Sequence, residues 1–166
     1  MMATNAGISQ CIIQDALRLH NKISQEKTFR ALNRDGIIAA SIYLSCKMNK
    51  YPRTSKEIAT IFHLDKSSAT KGCKNATTIL HKIERNLESD QKTTMCRTLP
   101  ISFIDRYCSK LNINQELTKL CQFIAYRIEK NNFIPENTPH SVASGIIYFV
   151  AQSCNLNITK QDVKRI

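Results

Sequence analysis

Two stretches of the chain, residues 35–47 (DGIIAASIYLSCK) and 141–152 (SVASGIIYFVAQ), are apolar around nearly the whole helical circumference. A helix that is hydrophobic all round has to be enclosed by other elements. Each run offers about a dozen apolar-leaning residues against the roughly 20 a bilayer needs. Each is therefore the central helix of its own small bundle and not a membrane span.

The flanking patterns supply the walls. Ser9 caps a helix with Ile12, Ile13, Ala16, Leu17, Leu19 and Ile23 on one stripe, Arg18, Lys22 and Lys27 outside, and an end near Glu26. Asn33 or Asp35 marks the start of the first central helix, and Pro52 stops the chain from continuing it. Thr54 with Glu57 three residues on makes a capping box, and the short helix it opens, residues 55–62, buries Ile58, Ile61 and Phe62. Ser67 then caps a longer helix whose inner face carries Ala69, Cys73, Ala76, Ile79 or Leu80, Ile83 and Leu87. Short helix, turn and longer helix read as a helix-turn-helix pair. From Glu88 to Leu99 the composition turns polar and loses its period.

Pro100 suits the first turn of a helix bearing Phe103, Ile104, Tyr107, Cys108 and Leu111. Another follows from Asn114 with Leu117, Leu120, Cys121, Ile124, Ala125 and Ile128 inward. Thr138 and Pro139 cap the second central helix, and Thr159 with Asp162 repeats the capping box.

An offset of 105 residues lays 8–61 on 113–166 without a gap, with identities that include Ile42/Ile147, Tyr43/Tyr148 and Thr54/Thr159. Identities alone are near chance; the shared order of helix, central helix, capping box and short helix carries the repeat. The expected fold class is all-α, with two tandem repeats: residues 1–88, a linker at 89–99, and 100–166. The offset leaves the first repeat without its opening helix and the second without its closing helix.

Composition narrows the function. Gly and Pro stand at four each and Trp is absent, which fits an all-helical chain. The seven Cys show no C-x-x-C pair and an odd count, so they are expected reduced and packed as small hydrophobes. The four His have no metal-like spacing with each other or with Cys, and no nucleophile elbow, P-loop or paired-carboxylate pattern is present, so no catalysis, metal or cofactor is expected. Tyr43 and Tyr148, midway along the central helices, are core residues rather than base-stacking platforms. The net charge of +11 points to an acidic partner such as nucleic acid. Residues 47–85 concentrate it, with nine basic side chains against three acidic ones.

The stretch 37–62, IIAASIYLSCKMNKYPRTSKEIATIF, resembles the first-repeat signature of the transcription factor IIB family, in which a central helix ending in an (A/S)-C-(R/K) triplet precedes P-R-T-x-K-E-I. The stretch 134–152, IPENTPHSVASGIIYFVAQ, is similar to the second repeat's V-P-x-x-(S/T)-P-x-S-V-A-x-x-I-Y, and with FIDRYCSKL at 103–111 the resemblance covers nearly the whole chain. It implies two cyclin-like repeats that bind the TATA-binding protein and the promoter DNA flanking the TATA box. RNA polymerase would be engaged through parts outside these residues, such as a zinc ribbon. The place of action implied is the nucleus, or a cytoplasmic viral factory for a virus-encoded relative, with no membrane partner. Where the family carries Gly-(Lys/Arg) before each central helix, this chain has Ala31-Leu32 and Glu136-Asn137.

The resemblance and the charge together nominate the interface. Arg30 and Arg34 fall on the loop before the first central helix, and Arg is the residue suited to a narrowed minor groove. Arg53 and Lys56 sit in the short helix's cap and first turn. Lys66, Ser67, Ser68, Lys71 and Lys74 gather at the start of the long helix, where free N–H groups also suit phosphate. Lys160, Lys164 and Arg165 are the second repeat's counterparts. The bland alternative for all of these is a solvated helix face, and the surface is open to DNA or to an acidic edge of the TATA-binding protein. The competing functional reading is a kinase-regulatory cyclin or another protein-interaction module, for which no apolar docking motif is present.

Overall fold

The computed structural model describes residues 2–26, 32–89 and 91–166, with the backbone alone at Leu32 and Asn33. It divides into two compact units, Met1–Arg97 and Thr98–Ile166. Among the described residues all regular structure is helical.

Unit 1 holds α1 (Met2–Asn5), α2 (Gln10–Glu26), α3 (Leu32–Met48), α4 (Ser55–Ile61) and α5 (Lys66–Ile83). Helix α3 packs against α2, α4 and α5. One of its sides, Ala39, Ile42 and Cys46, meets Ile8, Ile12, Ala16 and Ile58. Another, Ile37, Ala40 and Leu44, meets Leu19 and Ile23 of α2 and Cys73, Ala76 and Leu80 of α5. A helix walled on both sides leaves its polar residues no water. Accordingly the buried Ser41 hydroxyl donates to the Ile37 carbonyl at 2.9 Å, and the Ser45 hydroxyl crosses to the Ile12 carbonyl at 2.7 Å.

The contact of α3 with α5 is set by Gly72, which lies against the backbone of Gly36. A Cβ built on Gly72 would stand 2.3 Å from the Gly36 carbonyl oxygen, so only a bare backbone allows the helices this close. The capping box at Thr54 and Glu57 is present in both its halves and starts α4. The long helix is capped differently from the sequence expectation. Asp65, not Ser67, is the N-cap, and its carboxylate accepts from the Ser68 N–H at 2.7 Å.

Unit 2 holds α6 (Ile101–Lys110), α7 (Gln115–Lys130), α8 (Pro139–Ser153) and α9 (Lys160–Arg165). The 105-residue offset survives in backbone detail. Gly7 and Asn112 both take positive φ, 70° and 54°, and so do Lys50 and Asn155, 62° and 53°. The Ile8 N–H bonds the Ala3 carbonyl as Ile113 bonds Cys108, and Tyr51 bonds Cys46 as Leu156 bonds Ala151. By the same offset α1 matches the last turn of α6, so unit 1 has helix where the end of an opening helix is expected.

The two central helices differ in enclosure. Helix α8 buries Val142, Ala143, Ile146, Ile147, Val150 and Ala151 against α6 and α7. Its Gly145 and Phe149, the counterparts of Ala40 and Leu44, are exposed, Phe149 by 63%. The expectation that both helices are surrounded therefore holds for α3 and half holds for α8. The cause is physical: in unit 1 that side is covered by α5, and no described helix of unit 2 corresponds to it.

Candidate nucleic-acid interface

Helix α5 contains no acidic residue along its whole length, KSSATKGCKNATTILHKI. Its inner face is fixed by Ala69, Gly72, Cys73, Ala76 and Leu80. Residues spaced three and four apart on the other side then share one exposed stripe: Ser67, Lys71, Lys74, Thr78 and His81. Asn75 and Lys82 flank it, also exposed. Sequence reasoning named the first three and missed Asn75, Thr78 and His81. The signal for them was the same helical spacing, continued through a stretch free of Asp and Glu.

Two features limit the charge on offer. Lys82 is drawn to Glu26 of α2 at 2.6 Å, and the Asp65 carboxylate sits at the helix start. Hydrogen bonds from Ser68 hold the Asp65 carboxyl below its ordinary range, so it is ionised at neutral pH. At the expected phosphate seat the Asp65 carboxylate already accepts the Ser68 N–H, and its charge stands against a second anion there. Lys71 and Lys74, outside the first turn's N–H cluster, keep their place on the stripe.

The remaining candidates divide. Lys56 and Lys66 are exposed. Arg53 is turned inward, its side chain 14% exposed, 3.6 Å from Glu57 and with its Nη2 donating to the Ala6 carbonyl at 3.5 Å. It ties α4 to the chain's first turn and is withdrawn from the exposed basic set. Arg34 is exposed but lies inside α3, in its first turn, and not on a preceding loop. Arg30 falls outside the described residues. Lys160, Lys164 and Arg165 are exposed on α9 of unit 2, where the Lys160 ammonium stands 5.9 Å from the centre of the Tyr148 ring. That contact draws one cation back onto the protein.

At the far end of α5, Glu84 is buried and receives three donors. These are Lys22 Nζ at 2.5 Å, the Thr93 N–H at 3.0 Å and the Thr93 hydroxyl. Burial pushes its carboxyl up, but the bonds from Lys22 and Thr93 outweigh that and hold it below the usual value. The carboxylate joins α2, the end of α5 and the segment that follows, so the basic helix is anchored at both ends.

Among the described residues no group of three or more His, Cys, Asp or Glu is placed to hold a metal, and no helix is long and apolar enough to cross a membrane.

Two helical units in tandem, each built on one central apolar helix with the same turn geometry, define a cyclin-like repeat protein. Residues 1–79 match the family model described as transcription factor TFIIB repeat. The chain is 33% identical over 146 residues to a putative transcription initiation factor IIB-like protein of Acanthamoeba polyphaga mimivirus, covering 88% of this chain and 31% of that one. It is 28% identical over 151 residues to transcription initiation factor IIB of Oryza sativa subsp. japonica, covering 91% and 46%. With the Xenopus laevis factor of the same name the identity is 25% over 162 residues, covering 98% and 48%. The chain belongs to the transcription factor IIB family, whose members named here are initiation factors. It spans less than half the length of these relatives.

Proposed function

We propose that the chain is the repeat core of a transcription initiation factor that binds the TATA-binding protein and the promoter DNA beside the TATA box. RNA polymerase is engaged through parts outside these residues. The observation that carries this reading is the acid-free outer stripe of α5, held out from unit 1 by the Gly36–Gly72 contact and the Glu84 anchor. Each phosphate that such cations neutralise releases a condensed counterion, which drives the association. In unit 1, Lys66, Lys71 and Lys74 form the centre of the interface, with Lys56, Ser67, Ser68 and Arg34 around it; in unit 2, considered by itself, the candidates are Lys160, Lys164 and Arg165. The setting is the nucleus, or a viral factory if the chain is virus-encoded.

The test is an electrophoretic shift with TATA-box DNA, with and without the matching TATA-binding protein, across a salt series. The expected result is weak binding to DNA alone and a ternary complex whose affinity falls with a log–log slope of about −0.9 per phosphate contacted. The double variant Lys71→Glu and Lys74→Glu should weaken the complex and flatten the slope by about 2. Both side chains are exposed, so the fold should be unchanged. Salt-independent binding, or a double variant that binds like the parent, overturns the role of α5. Recovery of a protein kinase in place of the TATA-binding protein would favour the cyclin reading.

A further inference from the structure

The two repeats share a backbone plan, so a position where they differ in chemistry reports something the fold itself does not require. Helices α2 and α7 are counterparts, and their inner faces agree: Ile12, Ala16 and Ile23 match Leu117, Cys121 and Ile128. Their outer faces do not. Asp15, Arg18 and Asn21 of α2 become Leu120, Phe123 and Tyr126 of α7. The sequence pattern placed Leu120 in the core, but it is 41% exposed, with Phe123 at 60% and Tyr126 at 55%.

These three side chains make a contiguous strip along α7, because residues three apart sit on neighbouring turns of one face. Lys119, Arg127 and Lys130 border it and are exposed, with Glu116 as the one carboxylate on the same side of the helix. The Lys130 ammonium lies 6.0 Å from the centre of the Tyr126 ring, which folds a cation into the strip itself. An apolar strip edged by cations on a helix whose twin is polar at the same places is an interaction surface and not a packing surplus.

We propose that the outer face of α7 docks an acidic amphipathic helix from a partner protein. The apolar side of that helix lies on Leu120, Phe123 and Tyr126, and its carboxylates meet Lys119, Arg127 and Lys130. Charge chooses this occupant. A second copy of the chain would set the same three cations against each other. A single-stranded nucleic acid would find π-faces at Phe123 and Tyr126, but Leu120, which completes the strip, offers no face on which a base can stack.

The probe is a fluorescein-labelled 20-residue helical peptide with leucines at a spacing of three and four and glutamates elsewhere. It is compared by anisotropy with a lysine-for-glutamate version and with labelled oligo(dT). The whole chain should bind the acidic peptide at least about tenfold more tightly than the basic one, a difference readable as a shifted midpoint. The variant Leu120→Asp, Phe123→Gln and Tyr126→Asn should lose that binding. It should stay folded by circular dichroism, since α2 carries Asp15 and Asn21 at the same places. Lys119→Glu with Lys130→Glu should reverse the preference toward the basic peptide. No binding of the acidic peptide, equal binding by the triple variant, or oligo(dT) as the ligand that the triple variant loses would overturn the proposal. So would sedimentation of the parent as a dimer that the triple variant abolishes.

Discussion

Single residues decide how closely the helices of unit 1 approach. Replacing Gly72 with Ala gains roughly 1 kcal/mol of helix propensity. The added methyl would have to stand 2.3 Å from the Gly36 carbonyl oxygen, so the helices must part. Overpacking of that kind costs about 1–3 kcal/mol, and the net result is a loss. Gly36→Ala is the control: its Cβ would meet the Ser68 carbonyl oxygen at 3.4 Å, an ordinary contact, and the same propensity gain goes unopposed. Urea denaturation of both variants should show Gly72→Ala destabilised and Gly36→Ala neutral or more stable; two equal shifts would refute the close approach. Cys73, beside Gly72, carries a second expectation. Burial pushes its thiol up to about 11, whereas Cys11 and Cys154 are exposed. At pH 8 only about one Cys73 in a thousand is thiolate even before access is counted. Brief treatment of the native protein with iodoacetamide should label Cys11 and Cys154 and spare Cys73, as mass spectrometry of the digest would show.

At the scale of elements, the sequence revealed what local chemistry controls and concealed what pairing across the fold controls. Helix α3 was plain because an all-round apolar run admits one environment, and both capping boxes were plain because their two residues lie three apart. The choice of Asp65 over Ser67 as N-cap was not, since either residue can accept the N–H bonds. Nor was the inward turn of Arg53, which depends on a carbonyl 47 residues away, or the reach of Glu84 to Thr93. Leu120 was misplaced because its stripe position also fits the helix's edge, and only the packing of α8 shows where burial stops. Two expectations belong to these elements. Thr54→Ala removes one half of the α4 capping box and should cost about 1 kcal/mol. Glu84 has a folded value below its unfolded one, so its contribution is full above the ordinary carboxylate range and is lost as pH falls through the folded value. Acid titration followed by circular dichroism should therefore show unit 1 losing stability as the pH falls below the ordinary carboxylate range, and Glu84→Gln should flatten that limb while lowering stability at pH 7. An unchanged limb would mean the carboxylate is not the anchor.

The molecule as a whole is two copies of one plan with unequal cover, and its stability should divide the same way. In unit 1 the Ile37, Ala40 and Leu44 side of α3 lies under α5; in unit 2 the matching side of α8 leaves Phe149 63% exposed and Gly145 open. Burial of a large apolar side chain is worth about 1.5–3 kcal/mol, and unit 2 forgoes it at Phe149 while its core is drawn from one cluster instead of two. Cooperativity belongs to a unit with its own core, so the two are expected to unfold as separate transitions, unit 2 first. Native-state hydrogen exchange is the direct reading: amides of α7 and α8 should open with a lower free energy than those of α3 and α5. Phe149→Ser tests the cause, because removing an exposed aromatic ring should leave the first transition nearly where it was, whereas Leu44→Ser in the covered counterpart should bring unit 1 down by several kcal/mol, of the order of 3. One transition shared by all amides, or equal penalties at the two positions, would show that the open side of α8 is not what separates the repeats.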